Sequence, residues 1–121
     1  MSETASAKGV RVTPVEDLPL SDFARELVGE DHGARICLLF VDAEPGRGPS
    51  LHRHPYEEIF VMHEGQATFF LGDEQLEVRA GEVVVVPAGQ PHAFVNSGDG
   101  RLRQLDIHVS PRFETEWLAQ G

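Results

Sequence analysis

His52, His54, Glu58 and His92 are the residues of this chain whose types and spacing could do chemistry together. The first two are two residues apart, and side chains alternate along an extended segment, so both imidazoles face the same side. Glu58 follows His54 by four residues, an even step that keeps its carboxylate on that side if Pro55 and Tyr56 hold the strand register. His92 must arrive from another strand, which the turn Pro87–Pro91 can deliver. Glu57 competes with Glu58 as the acidic ligand, but its odd offset turns it the other way. Three imidazoles and a carboxylate suit one divalent transition metal (iron, manganese, nickel, copper or zinc) better than calcium or magnesium. On an octahedral ion four protein ligands leave two positions for water, substrate or dioxygen, the openness of a reactive site.

Bringing these four together requires strands from distant parts of the chain. Ala34–Ala43 is apolar almost throughout and predicts a central strand, with Cys37 as a buried thiol. Strands are also predicted over Glu58–His63, Val83–Val86 and His92–Asn96, with a hairpin of Ala67–Leu71 and Gln75–Val78 across Gly72–Glu74. Ala24–Val28 reads as a further strand, and Val10–Val15 as a first edge strand limited by Pro14. In Leu102–Val109 the apolar Leu102, Leu105, Ile107 and Val109 set the buried side, leaving Gln104, Asp106 and His108 as a strip facing solvent. The break between Leu102 and Leu105 predicts a small irregularity there. Ser110 and Pro111 resemble an N-cap and first helical residue, predicting a short C-terminal helix with Phe113 and Trp117 on one face. Residues 1–9 are small and polar and are expected to be flexible. Nine to eleven short strands with almost no helix point to one all-β domain over 1–121, an antiparallel sandwich or barrel.

Composition narrows the partners. A net charge of −10 repels a phosphate backbone and disfavours anionic membranes, so neither nucleic acid nor membrane is expected as a partner. No segment is long enough to span a bilayer and no charged-then-apolar leader opens the chain, so the expected location is cytoplasmic. One cysteine excludes a disulfide framework.

Ten positions at fixed spacing resemble a known family, the cupins. Its first pattern, G-x5-H-x-H-x3-E-x6-G, is filled by Gly46, His52, His54, Glu58 and Gly65, spanning 46–65. Its second, G-x5-P-x-G-x2-H-x3-N, is filled by Gly81, Pro87, Gly89, His92 and Asn96, spanning 81–96. The resemblance implies a jelly-roll barrel, a double-stranded β-helix, with a metal in its wide mouth on His52, His54, Glu58 and His92. It also implies frequent homodimers. It does not fix an activity, because the family spans dioxygenases, isomerases, cyclases, decarboxylases and binders.

Other residues are candidates for a substrate pocket. Phe94 lies two residues beyond His92, and Phe60 and Met62 share the parity of Glu58, so near the mouth these side chains would form an apolar wall. Tyr56 could hydrogen-bond substrate, although an exposed loop position is its commoner reading. His108 could assist from beside the metal or transfer protons. Arg47 could engage an anionic substrate at the rim, and His32 and His63 read as surface residues. The expected function is a metal-dependent enzyme on a small organic molecule, led by a dioxygenase of a phenolic or diketone-like compound. The alternatives are an oxygen-independent isomerase, cyclase or lyase, and a non-catalytic small-molecule binder.

Overall fold

The computed structural model describes residues 4–5 and 9–118, and among them the chain runs as thirteen short strands. The first six are β1 (Thr4–Ala5), β2 (Arg11–Val12), β3 (Leu20–Ser21), β4 (Ala24–Leu27), β5 (Cys37–Ala43) and β6 (His52–Arg53). Then follow β7 (Glu58–Glu64), β8 (Gln66–Leu71), β9 (Glu74–Arg79), β10 (Val83–Val86), β11 (Ala93–Asn96), β12 (Leu102–His108) and β13 (Glu116–Trp117). A six-stranded sheet has the order β10-β7-β12-β5-β4-β3, and a three-stranded sheet has the order β11-β8-β9. The short pair β13-β6 joins the smaller sheet through an antiparallel bridge between His52 and His92.

Between the two sheets lies an aromatic core. Phe60, from the large sheet, meets Phe69 of the small one edge-on, with ring centroids 4.9 Å apart. Phe94 stands 6.0 Å from Phe60 and 5.5 Å from Phe69, and all three rings are buried. Met62, Ala67, Val41 and Leu102 fill the remaining space. Edge-to-face contacts of this kind add about 0.5–1.5 kcal/mol beyond area burial. At the far end of the core β7 turns into β8 through Gly65, at φ 90° and against the Arg101 carbonyl oxygen, where neither conformation nor space admits a Cβ. Asn96 closes the next turn: its buried Nδ2 donates to the carbonyls of Ala43 (2.9 Å) and Gly100 (2.8 Å), and its Oδ1 accepts from Gly98 N–H at 3.0 Å.

Several sequence-based expectations change here. The C-terminal helix does not form. Ser110 Oγ accepts the Arg112 N–H as an N-cap would, but the chain continues extended, and Glu116 and Trp117 pair with Arg53 and His52. That pairing spans most of the second half of the chain, and local spacing carries no sign of it. The edge strand expected over Val10–Val15 shrinks to β2, and a 3-10 turn takes Val15–Asp17. Within the stretch expected to be flexible, β1 pairs with β2, while residues 1–3 and 6–8 lie outside the described residues.

The largest correction concerns β12. Gln104, Asp106 and His108 do not face solvent; all three are buried, and Leu105 and Ile107 take the outer side. Register is the cause. β12 lies between β5 and β7, with His108 opposite Glu58, Asp106 opposite Phe60 and Gln104 opposite Met62, so its polar set shares the parity of the metal ligand. The irregularity falls between Arg103 and Gln104, where their partners jump from Glu64 to Met62. The extra residue is therefore His63 on β7, and β12 itself alternates without interruption.

Candidate metal centre

Three backbone devices hold the four candidate ligands together. His52 and His92 exchange both main-chain hydrogen bonds, at 3.0 and 2.8 Å, which fixes two imidazoles side by side on neighbouring strands. The carbonyl of His54 accepts the Gly89 N–H at 2.8 Å, tying the first motif to the turn before His92. Glu58 opens β7 at its pairing with Val86. The result is a buried group in which one potential ligand atom from each of His52, His54, Glu58 and His92 lies within 4.8 Å of all the others. Glu57 is exposed, as its odd offset requires.

Hydrogen bonds fix the tautomers. His52 Nδ1 faces the Ser50 carbonyl at 2.7 Å, His54 Nδ1 the Glu114 carbonyl at 2.8 Å, and His92 Nδ1 the Gln90 carbonyl at 2.9 Å. A carbonyl oxygen only accepts, so each Nδ1 carries the hydrogen and the neutral ring turns its Nε2 lone pair inward. Such outer partners orient metal-binding imidazoles. His54 Nε2 is buried with no hydrogen-bond partner among the described residues, although Glu58 Oε1 lies 3.1 Å away. His92 Nε2 lies 3.1 Å from the same oxygen. Converging lone pairs on a carboxylate leave a concentrated negative potential that a cation relieves. The donor set fits a divalent transition ion.

The local electrostatics agree. Burial, and then the neighbouring His92 and His54 rings, push the His52 pKa down to about 4 against a hydrogen bond to Ser50, so the ring is neutral at pH 7 and its lone pair is free. Burial alone would raise the Glu58 carboxyl; the His108 ring, whose Nε2 lies 3.0 Å from Oε2, leads the influences that outweigh it and hold the pKa well below the usual carboxylate range.

A cavity of about 530 Å³ opens onto the cluster. His52, His54 and Glu58 reach its wall with Asp106 and His108, and Phe23, Phe94, Phe113 and Trp117 supply much of the apolar lining. Of the pocket residues expected from sequence, Phe94 and His108 line this cavity, whereas Phe60 and Met62 lie in the core beneath. Tyr56 is not an exposed loop residue. It is buried and stacked on His54 at 5.1 Å, with its hydroxyl 2.7 Å from His108 Nδ1 and 3.2 Å from the Glu114 N–H. Burial raises the Tyr56 hydroxyl pKa to about 12. Its even offset from Glu58 was the available signal. Arg47 lines a second cavity that shares Asp22, Phe23 and Val41 with the first, and it is paired with Asp22 and lies over the Phe23 ring at 5.8 Å.

Sequence reading missed Asp106 and the C-terminal residues Phe113 and Trp117. Phe113 meets His108 edge-on at 4.9 Å, and Trp117 tilts over His52 at 5.0 Å. The carboxyl of Asp106 receives the Gln104 Nε2–H at 2.8 Å. Burial first, and the Glu58 charge second, push the Asp106 pKa well above its usual range. Between that usual range and the raised value the folded chain holds a proton the unfolded chain has lost, so stability falls as pH rises through the window. Asp106→Asn keeps an oxygen for Gln104 and removes the titration. The metal-free variant is expected to gain on wild type progressively as pH rises above the usual carboxylate range, read by urea unfolding. Parallel pH profiles would refute this account of Asp106.

Comparison with known proteins accords with this geometry. Over 68 residues the chain is 38% identical to the polyketide synthase CurC of Streptomyces cyaneus, covering 55% of this chain and 44% of that protein. It is 29% identical over 75 residues to the acireductone dioxygenase of Geobacillus kaustophilus, covering 57% of this chain and 40% of that one. A structure of Bacillus subtilis oxalate decarboxylase, a protein with Mn(II) centres, superposes with a TM-score of 0.75 at 26% identity over 89% of this chain and 32% of that one. The chain thus spans about half the length of the curated relatives it matches. The family profile described as the cupin domain matches residues 39–108, from the middle of β5 to the last residue of β12, and by that match this chain belongs to the cupin family.

Proposed function

We propose that this protein is a metal-dependent enzyme acting on a small organic molecule, and that the reaction is the dioxygenation of a phenolic or diketone-like compound. The observation that carries the reading is the meeting of three inward Nε2 lone pairs and one carboxylate oxygen with an open, aromatic-lined cavity of about 530 Å³. A structural site would be closed over; this one reaches the cavity through His52, His54 and Glu58. A divalent transition ion on these four residues supplies Lewis-acid and redox chemistry when bound.

The chain's own residues do the rest. Phe23, Phe94 and Phe113 offer flat apolar surfaces to a planar substrate and keep water from the reacting face. Asp106 supplies a polar group on the remaining wall, orienting the substrate's oxygen atoms toward the ligand cluster. Similarity to an acireductone dioxygenase supports the oxygen-dependent reading, and similarity to an oxalate decarboxylase supports a redox-active ion.

The test loads metal-free protein separately with Fe(II), Mn(II), Ni(II), Cu(II) and Zn(II) and follows oxygen uptake with catechols and 1,3-diketones. Uptake with a redox-active ion and none with zinc is the expected result. Turnover that continues without oxygen and on zinc would replace the oxygenase with an isomerase, cyclase or lyase.

The protein acts as a homodimer in the same reading. On the outer face of the large sheet Val83 and Val85 are largely exposed, and the register continues them through Val61, Ile59, Leu105 and Ile107. An apolar sheet face of that extent favours a second copy. Sedimentation equilibrium is expected to give twice the chain mass of 13.3 kDa; a single-chain mass would exclude the dimer.

A further inference from the structure

The cluster contains a fourth imidazole with the opposite tautomer. His108 is buried on β12, directly opposite Glu58, yet it lies outside the group of mutually close ligand atoms. The Tyr56 hydroxyl receives the Glu114 N–H at 3.2 Å and lies 2.7 Å from His108 Nδ1. A hydroxyl has one hydrogen, and here its acceptor is Nδ1. The neutral His108 ring therefore carries its own hydrogen on Nε2, whereas His52, His54 and His92 carry theirs on Nδ1. Three rings present lone pairs and the fourth presents a donor.

That donor meets a particular oxygen. His54 and His92 approach Oε1 of Glu58, each at 3.1 Å, while His108 Nε2 approaches Oε2 at 3.0 Å. The N–H is not yet aligned with Oε2, and the terminal carboxylate torsion is soft enough to align it. We propose that His108, with its tautomer set by Tyr56, is a positioning residue that engages Oε2 of Glu58 so that the carboxylate meets the metal through Oε1 alone. A carboxylate held this way would offer a metal one oxygen, leaving its other positions to the imidazoles and to substrate or water. The role rests on the metal-centre reading above.

The test uses full-length protein loaded with Mn(II). Three variants are compared with wild type: His108→Phe, which keeps a ring without a donor; His108→Gln, which restores an N–H; and Tyr56→Phe, which releases the tautomer. The readouts are Mn(II) affinity by chelator competition and the separation of the two carboxylate stretches in metal-minus-apo infrared difference spectra. His108→Phe is expected to lose Mn(II) affinity about ten- to a hundredfold and to narrow the separation. His108→Gln should stay within about threefold of wild type, with Tyr56→Phe falling between. Wild-type affinity and separation in His108→Phe would overturn the role of His108 alone. Wild-type protein that binds no Mn(II) would overturn the metal centre and this role with it. Should His108→Phe fail to fold by circular dichroism, His108→Gln and Tyr56→Phe decide the matter, and identical wild-type spectra in Tyr56→Phe would overturn the tautomer device.

Discussion

His54→Ala is expected to bind divalent ions roughly a hundred- to a thousandfold more weakly than wild type while keeping the barrel folded. Tight four-ligand sites are worth about 10–16 kcal/mol, or about 2.5–4 kcal/mol for each ligand, which sets that range. No hydrogen bond of Nε2 softens the loss, because among the described residues that atom has no hydrogen-bond partner. The fold survives because its cohesion comes from elsewhere. The packed core of Phe60, Met62, Phe69, Phe94 and Leu102 does not include this ring. Competition titration with a coloured chelator measures the first effect and circular dichroism the second. An unfolded metal-free variant would make the site a structural staple and weaken the enzyme reading.

Phe69→Ala should do the reverse. The ring is fully buried between Phe60 and Phe94, and its removal leaves a cavity that the two sheets cannot close without moving apart. Large aromatic-to-alanine changes in such places cost about 3–5 kcal/mol. Against a typical total of about 5–15 kcal/mol that is a severe loss. Urea unfolding of the metal-free protein measures it. Phe69 lies on β8, which contributes none of the four ligands, so Mn(II) affinity of the folded fraction should stay within about threefold of wild type. A cost under about 1 kcal/mol would mean that the aromatic stack is not what joins the sheets.

The ligand set was legible in the sequence because its geometry is local. His52 and His54 are two residues apart in the chain, and Glu58, which opens β7 beyond a bend at Pro55 and Tyr56, keeps the even offset that Glu57 lacks, so the selection operates over a few residues. The wall behind the ligands was not legible. On β12 the apolar residues suggested the buried side, and that rule fails where the interior holds a polar site. His108 and Asp106 face inward because β12 pairs with β7, placing them opposite Glu58 and Phe60, partners far back in the chain that no pattern within β12 reveals. Tyr56 was misread for the same reason, since its partner His108 comes from that distant strand. Phe113 and Trp117 have helical spacing, but in the extended C-terminal segment they meet different imidazoles, His108 and His52. Local periodicity decides which face a segment offers; long-range pairing decides what that face meets.

X-ray absorption at the metal edge of Mn(II)-reconstituted protein tests the central claim most directly, since it reads the atoms around the ion. One ion per chain whose nearest shell includes three imidazole nitrogens and a carboxylate oxygen, the imidazoles marked by their outer-ring scattering, is the result this structure predicts. Sub-stoichiometric metal in an all-oxygen shell would contradict it, because the ion would then sit among surface acids and not among His52, His54, Glu58 and His92.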